Sequence, residues 1–193
     1  SGIVSGATGT LEKTSGGELY LTGNNTYGGG TTLTAGQITI AENDSLGSGT
    51  LSMAHNTTLG LDDNVIASNA IAATGGAFTD IIIDVSGGAS DVGILDGVLS
   101  GDGLITKTGA GQLTLGGSNS FAGVILLSEG TLSLENDLSL GTAPLSVADS
   151  TMLFVGAGNS IANTINLAGG ASVTFDMDAD PSTTEITGNI TGS

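Results

Sequence analysis

Residues 17–40 read GELYLTGNNTYGGGTTLTAGQITI, and residues 111–134 read GQLTLGGSNSFAGVILLSEGTLSL. Equivalent positions in the two stretches lie 94 residues apart (113 − 19 = 94), and a lysine precedes each stretch at the same spacing. An internal repeat of this kind predicts an array of similar structural units. The matched positions that we take as structural residues of the repeat are Leu19, Leu21, Asn25, Tyr27 and Gly36 in the first copy, and Leu113, Leu115, Asn119, Phe121 and Gly130 in the second.

Pairs of apolar residues separated by one residue recur along the whole chain. Their first members are at 19, 38, 59 and 81, then at 113, 132, 153 and 173, so the steps are 19, 21 and 22 residues, then 19, 21 and 20. Alternation with a period of two indicates strands with one face inward. A step near twenty residues is typical of one solenoid coil, in which each strand pairs in parallel with the strand one coil later. Further strands are expected midway, at Leu46, Leu51/Met53, Leu140 and Leu145/Val147.

The pattern therefore predicts an all-β chain folded as a β-solenoid, with leucine, isoleucine and valine ladders in its core. Asn25 and Asn119 are expected in turns, where a side-chain amide bonds to the backbone. We interpret residues 1–193 as one solenoid segment, with a first long repeat at 4–98, a second at 99–189 and the start of a third at 190–193. The short motifs VSG, LSG and ITG near these boundaries indicate a piece of something longer.

The charge balance excludes several classes of partner. Nineteen acidic residues stand against two lysines and no arginine, which gives a formal net charge of −17. A nucleic-acid binder needs basic side chains, and an anionic membrane surface repels such a chain. The absence of cysteine excludes disulfides and thiolate metal sites. No apolar segment reaches the length that spans a bilayer, so direct membrane insertion by this segment is not expected.

Residues 9–40 and 101–134 resemble the passenger-associated repeat of bacterial autotransporters. The resemblance lies in the order of a glycine, a leucine, a lysine, a Leu-x-Leu pair, an asparagine, an aromatic residue and a glycine before a strand. The sequence departs from that pattern at Ser15–Gly17 and at Val124–Gly130. The resemblance implies a right-handed parallel β-helix that is part of a longer passenger, exported through the outer membrane of a Gram-negative bacterium and displayed on its surface.

The same resemblance implies a role in adhesion, self-association or biofilm formation, with the repeat itself aiding export. The partners would be a copy of the protein on a neighbouring cell, or a receptor on a host or other surface. Two alternatives stay open at this point. One is a passive stalk that presents another domain, and the other is a carbohydrate-active enzyme, because parallel β-helices also host lyases and hydrolases.

Neither catalysis nor a cofactor is expected from the residues. His55 is the only histidine, with Ser52, Asp62 and Asp63 near it in sequence, and its equivalent in the second half is Asp149. A catalytic triad needs a nucleophile, a base and an orienting acid that converge in space. A histidine without a matching partner in the other repeat is read as a solvated turn residue.

Carboxylates offer two further candidates. A hydrolase needs two convergent carboxylates, for which Asp84, Asp91 and Asp96 remain open. The run FDMDADPSTTE at 175–185 places Asp176, Asp178 and Asp180 at alternating positions, as at the start of a calcium loop. Counted from Asp176, the sixth position is Pro181, where such a loop needs glycine. We therefore expect no dedicated metal site, and name these three residues as candidates for weak divalent-cation binding.

Overall fold

The computed structural model describes residues 2–76, 79–148, 150–177 and 183–192. This part of the chain contains 24 short strands and no helix, and every strand pair is parallel. The strands stack into a β-solenoid of about nine turns. The expected all-β parallel solenoid is thus confirmed, and no helix of the described residues is long and apolar enough to cross a membrane.

Each coil has three sides, which we call the first, second and third faces in the order in which the chain visits them. The first face contains β2 (Leu11–Lys13), β5 (Thr31–Leu33), β7 (Leu51–Met53), β10 (Ile71–Ala73) and β13 (Leu99–Ser100), and later β20 (Ser160–Ile161) and β23 (Glu185–Ile186). Between these two groups the face continues without regular strand, through backbone bonds such as Ser120 N–H to the Leu99 carbonyl (3.0 Å).

The second face is one sheet of nine strands. It contains β3 (Glu18–Leu21), β6 (Gly36–Ile40), β8 (Thr57–Leu61), β11 (Asp80–Asp84), β14 (Leu104–Thr108), β16 (Val124–Leu127), β18 (Leu145–Val147), β21 (Ile165–Leu167) and β24 (Ile190–Gly192). The third face contains β1 (Ser5–Gly6), β4 (Thr26–Tyr27), β9 (Val65–Ala67), β12 (Val92–Leu95), β15 (Gln112–Leu115), β17 (Thr131–Leu134), β19 (Thr151–Val155) and β22 (Val173–Met177).

Ladders of apolar side chains along the axis form the core. On the second face, the register aligns Leu19, Ile38, Leu59, Ile83, Lys107, Leu127, Val147 and Leu167 in consecutive coils. The inward position is apolar on every rung except that of Lys107. Two coils are longer than the sequence steps predict, since Leu59 pairs with Ile83 rather than with Ile81. The additional residues lie in the bends before and after β11.

The expected strands at Leu46 and Leu140 are turns in the structure. Both side chains are buried, but they lie in the bends at 42–47 and 136–141 rather than in strands. Gly47 and Gly141 have φ angles of 61° and 60° and reverse the local path of the chain. Since β-branched residues and leucine do not adopt this geometry readily, glycine determines the turn. The flanking strands expected at Leu51/Met53 and Leu145/Val147 are present as β7 and β18.

The two copies of the repeat do not lie on the same side of the solenoid. Lys13 is on the first face, where it pairs with Leu33, whereas Lys107 is on the second face between Ile83 and Leu127. On the first face, β13 lies four coils after β2, the strand that contains Lys13. The next strand along the chain, β14, lies on the second face and contains Lys107. The 94-residue spacing therefore equals four coils plus one face. The second copy is turned by about a third of a revolution around the axis relative to the first.

Candidate functional site

The asparagines of the repeat join three consecutive coils. Asn119 is buried, its Nδ2 donates to the Ser139 carbonyl (2.6 Å), and its Oδ1 accepts from the Leu99 backbone N–H (2.7 Å). Asn25 makes the same pair of bonds, at 2.6 and 2.8 Å, to residues one coil away on each side. The expectation that these amides bond to backbone groups agrees with the structure. Each amide satisfies polar groups that the stacking of coils would leave buried.

A second pair of asparagines, Asn69 and Asn163, lies outside residues 17–40 and 111–134. Asn69 Nδ2 donates to two carbonyls of the preceding coil at 2.9 and 2.8 Å, and Asn163 does the same at 3.1 and 2.8 Å. The acceptor residues, like the asparagines, are 94 positions apart (163 − 69 = 94). The long repeat thus extends well beyond its most recognisable segment. The signal that could have identified this pair is the shared spacing alone.

Both lysines are buried, and backbone carbonyls surround their ammonium groups. Lys107 Nζ donates to the carbonyls of Thr108 (2.8 Å), Gly109 (2.7 Å) and Glu129 (3.2 Å), which uses all three of its N–H bonds. Burial lowers the pKa of Lys107 to about 8, although the nearby carboxylates of Asp84 and Glu129 oppose this shift. The structure therefore places a positive charge inside the core and bonds it to neutral acceptors.

Lys13 has the equivalent environment in the first copy. Its Nζ donates to the carbonyl of Ser15 and to that of Ala35 (3.0 Å), the positions equivalent to Gly109 and Glu129. The two lysines match in the repeat of the sequence, but an inward position was not predicted for either of them. The strand alternation contained this signal. Lys107 lies two residues after Ile105, so its side chain points to the same inward side as that of Ile105.

A glycine one coil later completes each lysine site. Gly130 has a φ of 69°, and a Cβ atom there would lie 2.5 to 2.8 Å from the carbonyl oxygens of Gly109, Ala110 and Gly111. Gly36 has a φ of 78° and meets the equivalent turn at 2.4 to 2.8 Å. Any side chain at either position would collide with backbone atoms.

The remaining repeat residues fill the core to different degrees. Tyr27 and Phe121 are buried, and the Tyr27 hydroxyl hydrogen-bonds to Thr31 Oγ1 (2.6 Å). Burial raises the pKa of Tyr27 above its usual value. The leucine pair of the second copy, Leu113 and Leu115, is buried, whereas Leu19 and Leu21 of the first copy are half-buried and pack against the core.

The structure separates the residues of the triad considered above. His55 is exposed in the turn before β8, and its Nδ1 accepts the Asp80 backbone N–H (3.1 Å). Asp62 and Asp63 follow β8 at its opposite end, where Asp62 accepts a bond from the Tyr20 hydroxyl and Asp63 from the Val92 N–H (3.0 Å). Asp149, the equivalent of His55, is outside the described residues.

The acidic candidates for hydrolysis lie in different places. Asp84 is on the outer side of the second face and accepts a bond from Thr108 Oγ1 (2.7 Å). Asp91 and Asp96 are at opposite ends of β12. Asp91 does share an open cleft of about 490 Å³ with Asp62 and Asp63, at the corner between the second and third faces. This cleft therefore brings three of the described carboxylates around a common space.

Of the three residues named for weak cation binding, the structure describes only Asp176, which is exposed on β22. Asp178 and Asp180 lie outside the described residues, so weak binding at this run stays a prediction. Elsewhere in the described ranges, no group of three or more histidine, cysteine or acidic side chains is placed to hold a metal ion.

The outer surface carries no lysine or arginine. The chain has no arginine, and both lysines are inside the solenoid. The outward row of the first face that aligns Thr32, Ser52, Ala72 and Ser100 is small and mostly polar. The outward rows of the second and third faces also contain large apolar residues, such as Ile82, Leu126 and Phe154. An open groove of about 670 Å³ at the corner between the second and third faces is lined mainly by serine, threonine and alanine.

Two segments of the chain, residues 11–40 and 105–134, match the family model described as passenger-associated-transport-repeat. Among curated proteins, the chain is similar to the "Adhesin BmaC autotransporter" of Brucella suis biovar 1 (strain 1330), with 31% identity over 134 residues, or 68% of this chain. The matched region spans 4% of that relative's length. No solved structure shows a significant match.

Proposed function

Since the chain is an autotransporter passenger segment built on two passenger-associated transport repeats, we propose that it acts by contact, in adhesion and in association with copies of itself. The proposal includes display on the surface of a Gram-negative bacterium after export through the outer membrane, with the repeats aiding that export. The similar autotransporter of Brucella suis is an adhesin, which supports the adhesive role. Biofilm formation would follow where such contacts join neighbouring cells.

The observation that carries this proposal is the regular outer surface of the solenoid. On the first face, successive coils present the small side chains of Thr32, Ser52, Ala72 and Ser100 about 4.8 Å apart, so that one side of the rod offers similar weak contacts in line. Two rods side by side can convert weak individual contacts into useful avidity. Because both lysines are buried, an anionic ligand finds no lysine or arginine on this surface. A neutral surface, or a second copy at sufficient salt, fits it better.

We also propose that the segment is not an enzyme and needs no cofactor. The cleft shared by Asp62, Asp63 and Asp91 is open, and two of its carboxylates already accept hydrogen bonds from Tyr20 and Val92. A general acid among glycoside hydrolases requires a carboxyl group in a more enclosed site. If the carbohydrate-active alternative were correct, Asp62→Asn together with Asp91→Asn would abolish hydrolysis of a polysaccharide substrate and leave adhesion unchanged.

The test is to display the full passenger on cells, with and without residues 1–193, at equal surface amounts. Adhesion by self-association predicts that cells with the intact passenger clump and sediment, and that cells lacking the segment do so less. Salt should strengthen clumping, because like-charged rods repel until their charges are screened. If cells stay dispersed at every salt concentration with unchanged display, the stalk alternative replaces this proposal.

Two matched triple variants locate the contact. The first carries Thr32→Glu, Ser52→Glu and Ser100→Glu on the first face, and the second carries Thr58→Glu, Thr106→Glu and Ser146→Glu on the second face. Both add three charges to outward strand positions, so they change the net charge equally. Loss of clumping in one triple and not in the other identifies the contacting face. Equal clumping by both triples and by the unchanged protein would contradict a contact through the first or the second face.

A further inference from the structure

An apolar ladder alone does not specify which residues of neighbouring coils pair. The inward rungs beside Lys107 are Ile83 and Leu127, and similar aliphatic side chains occupy the rungs beyond them. A slip by one residue would turn the apolar side chains outward, but a slip by two keeps them inward. The two-residue slip is therefore the competing arrangement that this ladder leaves open.

Lys107 distinguishes the native register from the register slipped by two residues. Its ammonium takes two acceptors from its own coil, Thr108 and Gly109, and the third from Glu129 in the next coil. A second bond joins the same two coils, since the Gly109 N–H donates to the side-chain Oε2 of Glu129 (3.0 Å). A slip of two residues moves Glu129 away from both groups. The buried ammonium would then lose an acceptor, which is costly in a core.

Gly130 adds a steric condition at the same corner. The turn at 109–111 leaves no space for a Cβ atom on the residue stacked above it. A two-residue slip would place Ser128 or Leu132 there, and both have side chains. The correct register is thus favoured by a bond that only one alignment allows and by a contact that only glycine tolerates.

We propose that Lys107 with Gly130, and Lys13 with Gly36, determine the register between coils once in each long repeat. We call each pair a register lock. The first lock has the same geometry, with Lys13 bonded to the Ala35 carbonyl one coil later and Gly36 stacked over the turn at 15–17. In both locks the intercoil bond joins residues 22 positions apart. Buried polar groups are known to specify register where apolar contacts do not.

Pairs of introduced cysteines can report which register forms, because the chain has no cysteine of its own. Thr106 pairs with Leu126 across the second face, and both side chains point outward. Thr106→Cys with Leu126→Cys should therefore form a disulfide in the native register. Thr106→Cys with Val124→Cys reports the slipped register, since these Cα atoms are too far apart in the native one, beyond roughly 7 Å.

The decisive variant is Lys107→Met, which keeps the aliphatic stem and removes the ammonium. After refolding of the 193-residue chain, the proposal expects Lys107→Met to raise the slipped disulfide relative to the native one by about tenfold, the ratio that one lost bond to a charged group implies. Leu127→Met is the matched control, because it places a methionine on the next rung of the same ladder. That control should give only the native disulfide.

The first lock keeps the proposal testable if Lys107→Met does not fold. There, Glu12→Cys with Thr32→Cys reports the native register, and Thr14→Cys with Thr32→Cys reports the slipped one. Lys13→Met should raise the slipped pair in the same way while far-UV circular dichroism retains the strand signal. If a folded Lys107→Met or Lys13→Met variant forms only the native disulfide, with the yield of the unchanged protein, the lysines have no role in register and the proposal is wrong.

Discussion

At the scale of single residues, the buried lysines combine an apolar stem with a polar end. The stem of Lys107 continues an aliphatic ladder, and the ammonium meets three carbonyls. Burial lowers the pKa of Lys107 more than the nearby carboxylates of Asp84 and Glu129 raise it, so the desolvation of the ammonium dominates. Protonation of this group is therefore less favourable in the folded chain than in the unfolded chain.

The first prediction concerns pH. The folded chain releases the Lys107 proton at about pH 8, and the unfolded chain releases it near 10.5. Above pH 8 the unfolded state binds more protons, so the free energy of unfolding should rise with pH. Urea titrations between pH 8 and 10 should show this rise, and Lys107→Met should remove it. Tyr20 and Tyr27 have raised pKa values, so the unfolded chain loses their protons first and they lower the free energy of unfolding as the pH approaches 10. Because both proteins carry these tyrosines, the difference in slope reports Lys107. Equal slopes for the two proteins would contradict the burial of a charged lysine.

The second prediction compares an inward and an outward position. Leu115 is buried in the third face, and Asp176 is exposed on β22. Leu115→Asp places an unpaired charge in the core and should lower the free energy of unfolding by about 4 kcal/mol or more. Asp176→Asn should change it by less than about 0.5 kcal/mol. Comparable urea midpoints for the two variants would mean that the inward face has been assigned wrongly.

The sequence predicted the apolar rungs and the asparagine positions, because alternation and the 94-residue spacing are visible in the letters. It did not predict the inward lysines, since a lysine between polar residues ordinarily lies in solvent. Their site depends on carbonyls contributed by a neighbouring coil, as the bond from Lys107 to Glu129 shows. Contacts of that kind appear only when the register is known.

At the scale of turns and strands, glycine positions determine where coils can stack closely. Gly130 and Gly170 share positive φ angles of 69° and 77°, but only Gly130 has backbone atoms within contact distance of an added Cβ. The two residues therefore separate the effect of backbone conformation from that of close packing.

The third prediction uses this pair. Gly170→Ala should cost about 1 kcal/mol, the usual penalty for a left-handed non-glycine residue. Gly130→Ala adds a collision with the turn at 109–111, and should cost about 3 kcal/mol or more. The measurement is the free energy of unfolding in urea for both variants. A similar loss in both would show that the coils at Gly130 are not in close contact.

The coil length and the parallel pairing could be predicted from the sequence, but the bends could not. Leu46 and Leu140 have the apolar character of strand residues, yet they lie in turns, because the glycine that follows each one reverses the chain. Similarly, the sequence steps placed Ile81 opposite Leu59, whereas Ile83 is the partner. Variable loop length between strands of fixed pattern is the physical reason for both differences.

At the scale of the whole molecule, the charges are segregated. Both lysines lie inside, and the carboxylates of the described surface face outward without a lysine or arginine partner. Repulsion among these carboxylates opposes the compact state, and salt relieves it. No surface ion pair between a carboxylate and a lysine or arginine is available for salt to weaken.

The fourth prediction follows from this segregation. The urea midpoint should rise steadily as sodium chloride increases from about 0.01 M to about 1 M, a range over which the screening length falls from about 30 Å to about 3 Å. The Glu triple variant of the first face, with three more charges, should show a steeper rise. A midpoint that falls with added salt would indicate stabilising ion pairs that the structure does not contain.

The offset between the two copies of the repeat has a geometric consequence. Each long repeat advances four coils plus one face, so a chain that continued this pattern would return to its starting side after three repeats, or 282 residues (3 × 94). Those thirteen coils would extend about 62 Å along the axis. The motif would then follow a spiral around the rod, because each copy lies one face further around the axis than the copy before it. Over one such circuit, each of the three faces of the rod would carry one copy of the motif.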